Sequence, residues 1–314
     1  MSRIHEALKK AELDRSAVTT LPDFRPAERE AAVTSKQEVV TQLGEVKNEI
    51  NLPPLADFSQ ITRSLRFEDI SSKCAQVSWR PDPLTNVFVN PSLNREATEQ
   101  FRTLRSRLYH LRADNSMRVV LITSAISGDG KTFVASNLAQ AIVRQPDRRV
   151  LLIDADLRSS RLHIPLGAPA GPGLGEYLSG TADEMAVIQH GQEGGLYFIA
   201  GGAPVSNASE LLSNGRLKTL IERAVSCFDW IIFDSPPCLP VADASVLAGL
   251  CDGILLVVRA GATPSSAADK ACQELRQQNL VGVVLNGVDE KLLTYGSYYG
   301  GGHYGHAVGE DPNQ

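Results

Sequence analysis

The chain has 314 residues, of which 43% are hydrophobic and 21% charged, which excludes a wholly disordered protein and allows one large domain or two ordinary ones. Its formal net charge of −5 argues against nucleic acid as a main partner, because binding to phosphate backbones needs a basic excess. No apolar run approaches the roughly 18 residues that span a bilayer, and the N-terminus lacks the apolar core of a secretory signal, so we predict a cytoplasmic protein.

The first part of the chain differs in composition from the rest. Ile4, Leu8 and Ala11 recur at helical spacing, which predicts a short amphipathic helix that either docks on a partner or membrane surface or is exposed to solvent. The stretch that follows mixes charged, small and proline residues with weak periodicity, which favours a largely flexible arm. We therefore predict three regions, which are an N-terminal extension over 1–90, a folded domain over 91–289 and a C-terminal tail over 290–314.

From residue 91 the periodicity becomes regular. Phe101, Leu104 and Leu108 follow the spacing of one helical face, which predicts a helix before the first long strand. Short β-branched runs then alternate with helical stretches, and this pattern favours a doubly wound α/β fold whose mostly parallel sheet is covered on both faces. The predicted strands are 118–123, 150–154, 196–200, 230–234, 253–258 and 281–285. The tail is rich in Gly and Tyr, which predicts disorder.

A phosphate-binding sequence follows the first of these strands. Residues 125–132, AISGDGKT, match the P-loop pattern with alanine in the first place, and they lie between a strand and a helix. Glycines at this spacing let backbone N–H groups face the phosphates of ATP, while the lysine contacts phosphate and the threonine offers a hydroxyl to Mg²⁺. The alternative is a glycine turn without a ligand. The residues predicted to bind the nucleotide are Ser127, Gly128, Asp129, Gly130, Lys131, Thr132 and Phe133.

Three aspartates lie at the ends of two other predicted strands. Asp154 and Asp156 close the run VLLIDAD, and Asp234 closes DWIIFD. Ligands of open α/β sheets bind at the carboxyl ends of the strands, so we expect these carboxylates to meet the phosphate loop. For any single aspartate the alternative is a helix cap. Asp234 fits a Mg²⁺ site, and the other two fit metal binding or proton acceptance. An ATP site alone leaves the acceptor of the phosphate open.

Residues 91–300 resemble the bacterial tyrosine kinase (BY-kinase) family, the cytoplasmic kinases of exopolysaccharide and capsule export. The resemblance rests on the phosphate loop (Walker A) and on two acidic motifs, LLIDADLR (Walker A′) and IIFDSPP (Walker B). It also rests on an E-x-x-R-x-x-R sequence before the first strand and on a terminal tyrosine cluster. The related MinD/ParA-like ATPases carry an additional lysine early in the loop, where this chain has Ile126. The resemblance implies a P-loop NTPase fold of MinD/ParA type and ATP-dependent autophosphorylation, in trans, of Tyr295, Tyr298, Tyr299 and Tyr304.

The resemblance also implies roles for single residues of the nucleotide site. Lys131 contacts the phosphates, and Asp154 orients the attacking tyrosine or accepts its proton. Asp156 is the third expected catalytic residue and is directed toward the metal. Asn286, after the last strand, is expected to contact adenine, with a simple turn residue as the alternative. The residues expected to hold Mg²⁺ are Thr132, Asp156 and Asp234.

A second set of residues is expected to join subunits. Glu99, Arg102 and Arg105 lie on one helical stripe, since a spacing of three keeps side chains adjacent. In the family such a stripe forms the interface of a ring-like homo-oligomer, and the alternative is an exposed, salt-bridged face that adds little stability.

The resemblance implies partners as well. In one common arrangement a membrane protein of the polysaccharide co-polymerase type activates a separate kinase chain, which would recruit this chain to the inner face of the plasma membrane, and a phosphotyrosine phosphatase reverses the reaction. The opening MSRIHEALKKAE is similar to kinases of exosortase-type exopolysaccharide loci. Two alternatives stay open, which are a MinD/ParA-like switch ATPase and a nucleotide-binding scaffold of the export complex.

Overall fold

The computed structural model describes residues 65–191 and 194–288. The predicted N-terminal helix and the tail with its four tyrosines lie outside the described residues. The elements are, in chain order, α1 (Phe67–Lys73), β1 (Ala75–Gln76), α2 (Arg95–Asn115), β2 (Val119–Ser124), α3 (Lys131–Val143), β3 (Val150–Asp154), α4 (His163–Leu166), α5 (Leu174–Ser179), α6 (Glu184–Val187), β4 (Ile188–His190), β5 (Leu196–Ile199), α7 (Ala208–Ser213), α8 (Arg216–Ala224), β6 (Trp230–Asp234), α9 (Asp243–Ala248), β7 (Gly253–Arg259), α10 (Ser265–Leu275), a 3₁₀ turn (Arg276–Gln278) and β8 (Leu280–Asn286).

One eight-stranded sheet, in the order β1-β4-β5-β3-β6-β2-β7-β8, forms the centre of the described chain. Neighbouring strands are parallel except for the antiparallel pair β4 and β5. The six predicted strands are confirmed, each within one residue at either end, and so is the doubly wound α/β fold. Two strands, β1 and β4, were not predicted, because runs of two and three residues show no period.

The apolar strands are continuous because both faces of the sheet are covered. On β3, Leu151 and Ile153 belong to one core cluster, and Val150 and Leu152 belong to the other, as the alternation of a strand requires. Helices α2 and α3 cover one face, and α1 with α7 to α10 cover the opposite face. Each fully buried aliphatic side chain of this kind stabilises the fold by about 1.5–3 kcal/mol.

Residues 65–90 are folded against the sheet, so the flexible state predicted for this part of the arm is wrong. Ile70, on α1, is fully buried in the core. Further along, the wholly buried side chain of Asn137 on α3 accepts a hydrogen bond from the Val87 N–H at 2.9 Å and donates one to the Thr85 carbonyl at 2.8 Å. Such single anchors leave no periodic signal in a sequence. The domain boundary at residue 90 stays a prediction.

Among the helices of the described residues, none is long and apolar enough to cross a bilayer. The longest is α2, whose 21 residues bury Phe101 and Leu108 against α3 and the sheet. A helix with one buried apolar face and one charged face is typical of a helix that packs against the core of a protein.

Candidate active site

The phosphate loop lies between the end of β2 and the beginning of α3. Gly128 and Gly130 have φ angles of 92° and 94°, in the left-handed region that favours glycine. A Cβ on Gly130 would lie 2.0 Å from Nδ2 of Asn286, so a larger residue would also collide there. A Cβ on Gly128 would meet no atom within 4 Å, so this side of the loop is open. The N-terminus of the 13-residue helix α3 adds a partial positive charge that favours phosphate.

The structure brings the lysine and the three aspartates together. Asp154 and Asp234 are direct neighbours in the register of the parallel strands β3 and β6. The Lys131 Nζ lies 3.8 Å from Oδ2 of Asp156, and both side chains are almost buried, at 13% and 12% exposed. Thr132, the next residue along α3, lies near Asp234, and its hydroxyl acts to lower the pKa of that carboxyl. A cation and three carboxylates therefore share one pocket beneath the loop.

Asp234 is the most strongly perturbed of these groups. Burial raises the pKa of Asp234 to about 8, and the charges of Asp154 and Asp156 act in the same direction, against the opposing effects of Lys131 and Thr132. Its Oδ1 atom is buried and has no hydrogen-bond partner among the described residues. A buried carboxylate oxygen without a partner is costly, so this atom has the chemistry of a ligand to a cation or to an ordered water.

The oxygen donors at this point fit Mg²⁺. Within residues 65–191 and 194–288, no group of three or more His, Cys, Asp or Glu side chains could hold a metal ion by itself. Mg²⁺ is usually bound by one or two carboxylates together with the phosphates of a nucleotide, and it prefers such hard oxygen ligands. Thr132, Asp156 and Asp234 carry such oxygen atoms, and their assignment to Mg²⁺ stays a prediction.

Asp154 shapes the segment that follows β3. The side chain is fully buried, and its Oδ2 accepts hydrogen bonds from Ser160 Oγ at 2.7 Å and from the Arg161 and Leu162 N–H groups at 3.1 and 3.0 Å. Burial raises the pKa of Asp154 to about 6, against the opposing effect of these hydrogen bonds. Its predicted role as proton acceptor stays a prediction, and Asp156 is the more accessible of the two carboxylates.

Sequence analysis missed an ion pair that joins this segment to α9. Arg158 donates from Nε and Nη2 to the two carboxylate oxygens of Asp243, at 2.7 and 3.1 Å, and Ser209 Oγ bonds to the same carboxylate. Burial acts to raise the pKa of Asp243, but the bonds from Arg158 and Ser209 outweigh it and hold this pKa below its usual value. The place of Arg158 in the motif LLIDADLR could have identified it as a residue of the site. Asp243 lies in no motif, so its sequence position gave no such indication.

The three residues of the predicted interface have different environments. Glu99 and Arg102 form an exposed ion pair on α2. Arg105 is partly buried, and its Nη1 donates to the Ala141 carbonyl in the last turn of α3, at 2.6 Å. Arg105 thus anchors α2 to the helix that carries Lys131, and the subunit interface stays a prediction.

Asp234→Asn is expected to raise the melting temperature more at pH 8 than at pH 5. The folded-state pKa of about 8 lies above the usual 3.8, so between these values the folded chain holds a proton that the unfolded chain has lost. Stability therefore falls as pH rises through this window, by at most about 1.4 kcal/mol per pH unit, and the neutral amide removes the effect. Thermal melts followed by circular dichroism, in EDTA at both pH values, would measure this difference in melting temperature.

The control is Asp269→Asn on the exposed surface of α10, whose melting temperature should change little at either pH. Equal shifts at both pH values for Asp234→Asn would contradict the buried, protonated state.

Known proteins that are similar to this chain bind nucleotides or are named tyrosine kinases, in agreement with the geometry of the site. The family described as the CobQ/CobB/MinD/ParA nucleotide binding domain matches residues 120–295, which include the phosphate loop and the three aspartates. "Tyrosine-protein kinase YwqD" of Bacillus subtilis is 37% identical over 210 residues, which are 66% of this chain and 86% of that protein. "Tyrosine-protein kinase CpsD" of Streptococcus agalactiae is 34% identical over 214 residues, 67% of this chain and 91% of that protein. "Tyrosine-protein kinase etk" of Escherichia coli is 39% identical over 204 residues, but the match spans only 28% of its length.

The solved structures that are similar to this chain include further tyrosine kinase domains. The kinase domain of Escherichia coli tyrosine kinase ETK superposes with a TM-score of 0.59 at 39% identity, over 62% of this chain and 77% of that one. The BceF tyrosine kinase domain superposes with a TM-score of 0.58 at 30% identity, over 71% of this chain and 86% of that one.

Proposed function

The chain belongs to the bacterial protein-tyrosine kinases, whose catalytic domain is a CobQ/CobB/MinD/ParA nucleotide binding domain, and we propose that it transfers the γ-phosphate of ATP to the tyrosines of its own C-terminal tail. One observation carries the proposal, which is that Lys131, Asp156 and Asp234 lie together beneath a phosphate loop of the required shape. Phosphoryl transfer is mainly positioning and charge stabilisation, and this is what such a pocket supplies.

The residues of the pocket divide the work. Backbone N–H groups of the loop and the ammonium of Lys131 bind the phosphates, and Lys131 stabilises the charge that develops on the transferring group. Thr132, Asp156 and Asp234 would hold Mg²⁺, which would supply positive charge that neutralises part of the charge of the phosphates. Two properties support Asp154 as proton acceptor, since a pKa of about 6 leaves it ionised at pH 7 yet more basic than an ordinary aspartate. Asp154 is fully buried, however, and this favours the more exposed Asp156 as the group that first contacts the substrate.

The tail, the ring and the membrane partner belong to the same proposal. Transfer in trans is supported by the glycines around the tail tyrosines, which suit a segment that enters a neighbouring subunit. Glu99, Arg102 and Arg105 are the proposed contacts between subunits in a ring. We further propose a membrane activator of the polysaccharide co-polymerase type, recruitment by it to the inner face of the plasma membrane, a phosphatase that resets the cycle, and control of exopolysaccharide or capsule export. These steps are supported by family resemblance.

Transfer in trans predicts a specific labelling pattern. An active chain that ends at residue 289 has no tail to label, and a full-length Lys131→Met chain has a tail but no activity. Mixed with MgATP, the two should give phosphotyrosine on the tail of the Lys131→Met chain, as mapped by mass spectrometry, whereas each alone should give none. The mixture should be tested with and without the cytoplasmic segment of a candidate activator.

Each other result of this mixture has a defined meaning. Label that appears only when one chain carries both the tail and Lys131 would show transfer in cis. ATP hydrolysis without phosphotyrosine would favour the switch ATPase, and bound but unhydrolysed ATP would favour the scaffold.

A further inference from the structure

The phosphate loop is held from outside by the ends of β7 and β8. Arg259 and Asn286 are neighbours in the register of these two strands. Arg259 Nη1 donates to the Gly128 carbonyl at 3.2 Å, and Asn286 Nδ2 donates to the Asp129 carbonyl at 2.9 Å. Two successive carbonyls of the loop are therefore bonded to residues that lie more than a hundred positions away in sequence.

The side chain of Asp129 forms a second set of contacts. It is 1% exposed, its Oδ2 accepts a hydrogen bond from the Ile126 N–H at 3.2 Å, and its Oδ1 accepts one from the Thr263 hydroxyl at 2.6 Å. The same hydroxyl oxygen accepts the N–H of Arg259 at 2.8 Å. The Thr263 hydroxyl proton is thus directed at the carboxylate, and a chain of hydrogen bonds runs from β7 through Thr263 into the loop.

We infer that Arg259, Thr263 and Asn286 form an outer brace whose role is to aim the backbone of the phosphate loop at its ligand. The N–H and C=O of one trans peptide point in opposite directions. Holding the carbonyl of Gly128 outward therefore turns the Asp129 N–H inward, and holding the carbonyl of Asp129 outward turns the Gly130 N–H inward. Inward N–H groups are what a phosphate requires, and the brace fixes them before the nucleotide arrives.

The brace also explains a carboxylate that would otherwise oppose binding. A negative charge within a phosphate loop disfavours an anionic ligand unless that charge is turned away and compensated. The Asp129 carboxylate accepts hydrogen bonds from the Ile126 N–H within the loop and from the Thr263 hydroxyl outside it, and the guanidinium of Arg259 bonds to the adjacent Gly128 carbonyl. Thr263 is accordingly a positioning residue for the nucleotide site, although it belongs to no phosphate-binding motif.

The first test measures nucleotide affinity, so that it is independent of kinase activity. In Thr263→Val, which keeps the shape but loses the hydroxyl, the Kd for MgATP by calorimetry should rise about tenfold, as expected for a lost hydrogen bond to a charged group. Thr263→Ser keeps the hydroxyl and should stay within roughly twofold of the unchanged chain. The matched control is Thr219→Val on α8, whose hydroxyl bonds to the Gly215 carbonyl far from the site. A Thr263→Val chain with a lower melting temperature but an unchanged Kd would overturn the brace.

A second test separates the brace from adenine recognition at Asn286. Asn286→Ala should weaken MgATP and inorganic tripolyphosphate by a similar factor, because the loop binds phosphates in both. A loss confined to MgATP would assign Asn286 to the adenine instead and remove it from the brace. The brace rests on the proposed ATP site, but it does not need the kinase reaction. A chain that bound tripolyphosphate normally yet formed no phosphotyrosine would refute the proposed function and leave the brace standing.

Discussion

Replacing Lys131 by methionine is expected to abolish tyrosine phosphorylation, with the rate falling by at least about 10³-fold. Methionine keeps a flexible apolar stem of similar length but has no ammonium group. The phosphates then lose their cationic contact, and Asp156 loses a neighbouring charge at 3.8 Å. The rate of phosphate incorporation from labelled ATP, at saturating ATP and with the activating segment present, measures the effect. The chain should stay folded, because methionine retains the apolar contacts of the lysine stem and the ion pair that is lost is a long one, at 3.8 Å.

The control for this substitution is Lys218→Met on α8. Its Nζ lies 3.9 Å from Glu222 and the side chain is 67% exposed, so the charge lost is the same but its site is remote from the loop. Lys218→Met should label at the normal rate. Equal labelling of Lys131→Met and the unchanged chain would refute the phosphate-loop assignment.

Much of the fold was predictable because buried parallel strands carry a strong local signal. Val150–Asp154 and Trp230–Asp234 were predicted with their observed bounds, and both end in the aspartates of the site. A run of four buried apolar residues followed by an acid is readable from sequence, since burial on both faces of the sheet removes polar alternation. The parallel topology then brings those acids to one edge of the sheet.

The contacts that hold the site from outside were not predictable in this way. The Thr263 hydroxyl reaches Asp129 across 134 positions of sequence, and Asn137 anchors residues 85 and 87 from about 50 positions away. Each depends on one side chain, so it produces neither periodicity nor a motif. Threonine before a proline also reads as an ordinary loop. Such tertiary hydrogen bonds become visible only once the strands that carry them have been placed.

The charges of the site support the proposal that a nucleotide and a metal ion bind there together. Lys131 lies 3.8 Å from Asp156, and burial, together with the charges of Asp154 and Asp156, raises the pKa of Asp234 to about 8. A cation that binds Asp234 must displace its proton at neutral pH, so metal affinity should increase with pH over this range. Burial thus disfavours an ionised Asp234 without a cation, and it strengthens the pairing once the cation and the phosphates are present.

Changing all four tail tyrosines to phenylalanine is expected to remove most of the phosphotyrosine while leaving ATP affinity unchanged. The chain has seven tyrosines, and the other three lie in the folded domain. Tyr177 and Tyr197 are 4% and 3% exposed, and burial raises the pKa of both hydroxyls. The Tyr109 hydroxyl is buried as well. None of the three can reach the active site of another subunit without unfolding, so Tyr295, Tyr298, Tyr299 and Tyr304 are the expected acceptors.

The comparison variant is Tyr109→Phe. Its hydroxyl has no hydrogen-bond partner among the described residues, so phenylalanine should fold at least as well and label normally. Restoring one tail tyrosine at a time to the fourfold Phe chain would then rank the acceptors by mass spectrometry. Label that persisted in the fourfold variant would have to come from a tyrosine of the folded domain. Because those hydroxyls are buried, that result would mean that the domain opens during turnover, and it would contradict the tail as the main acceptor.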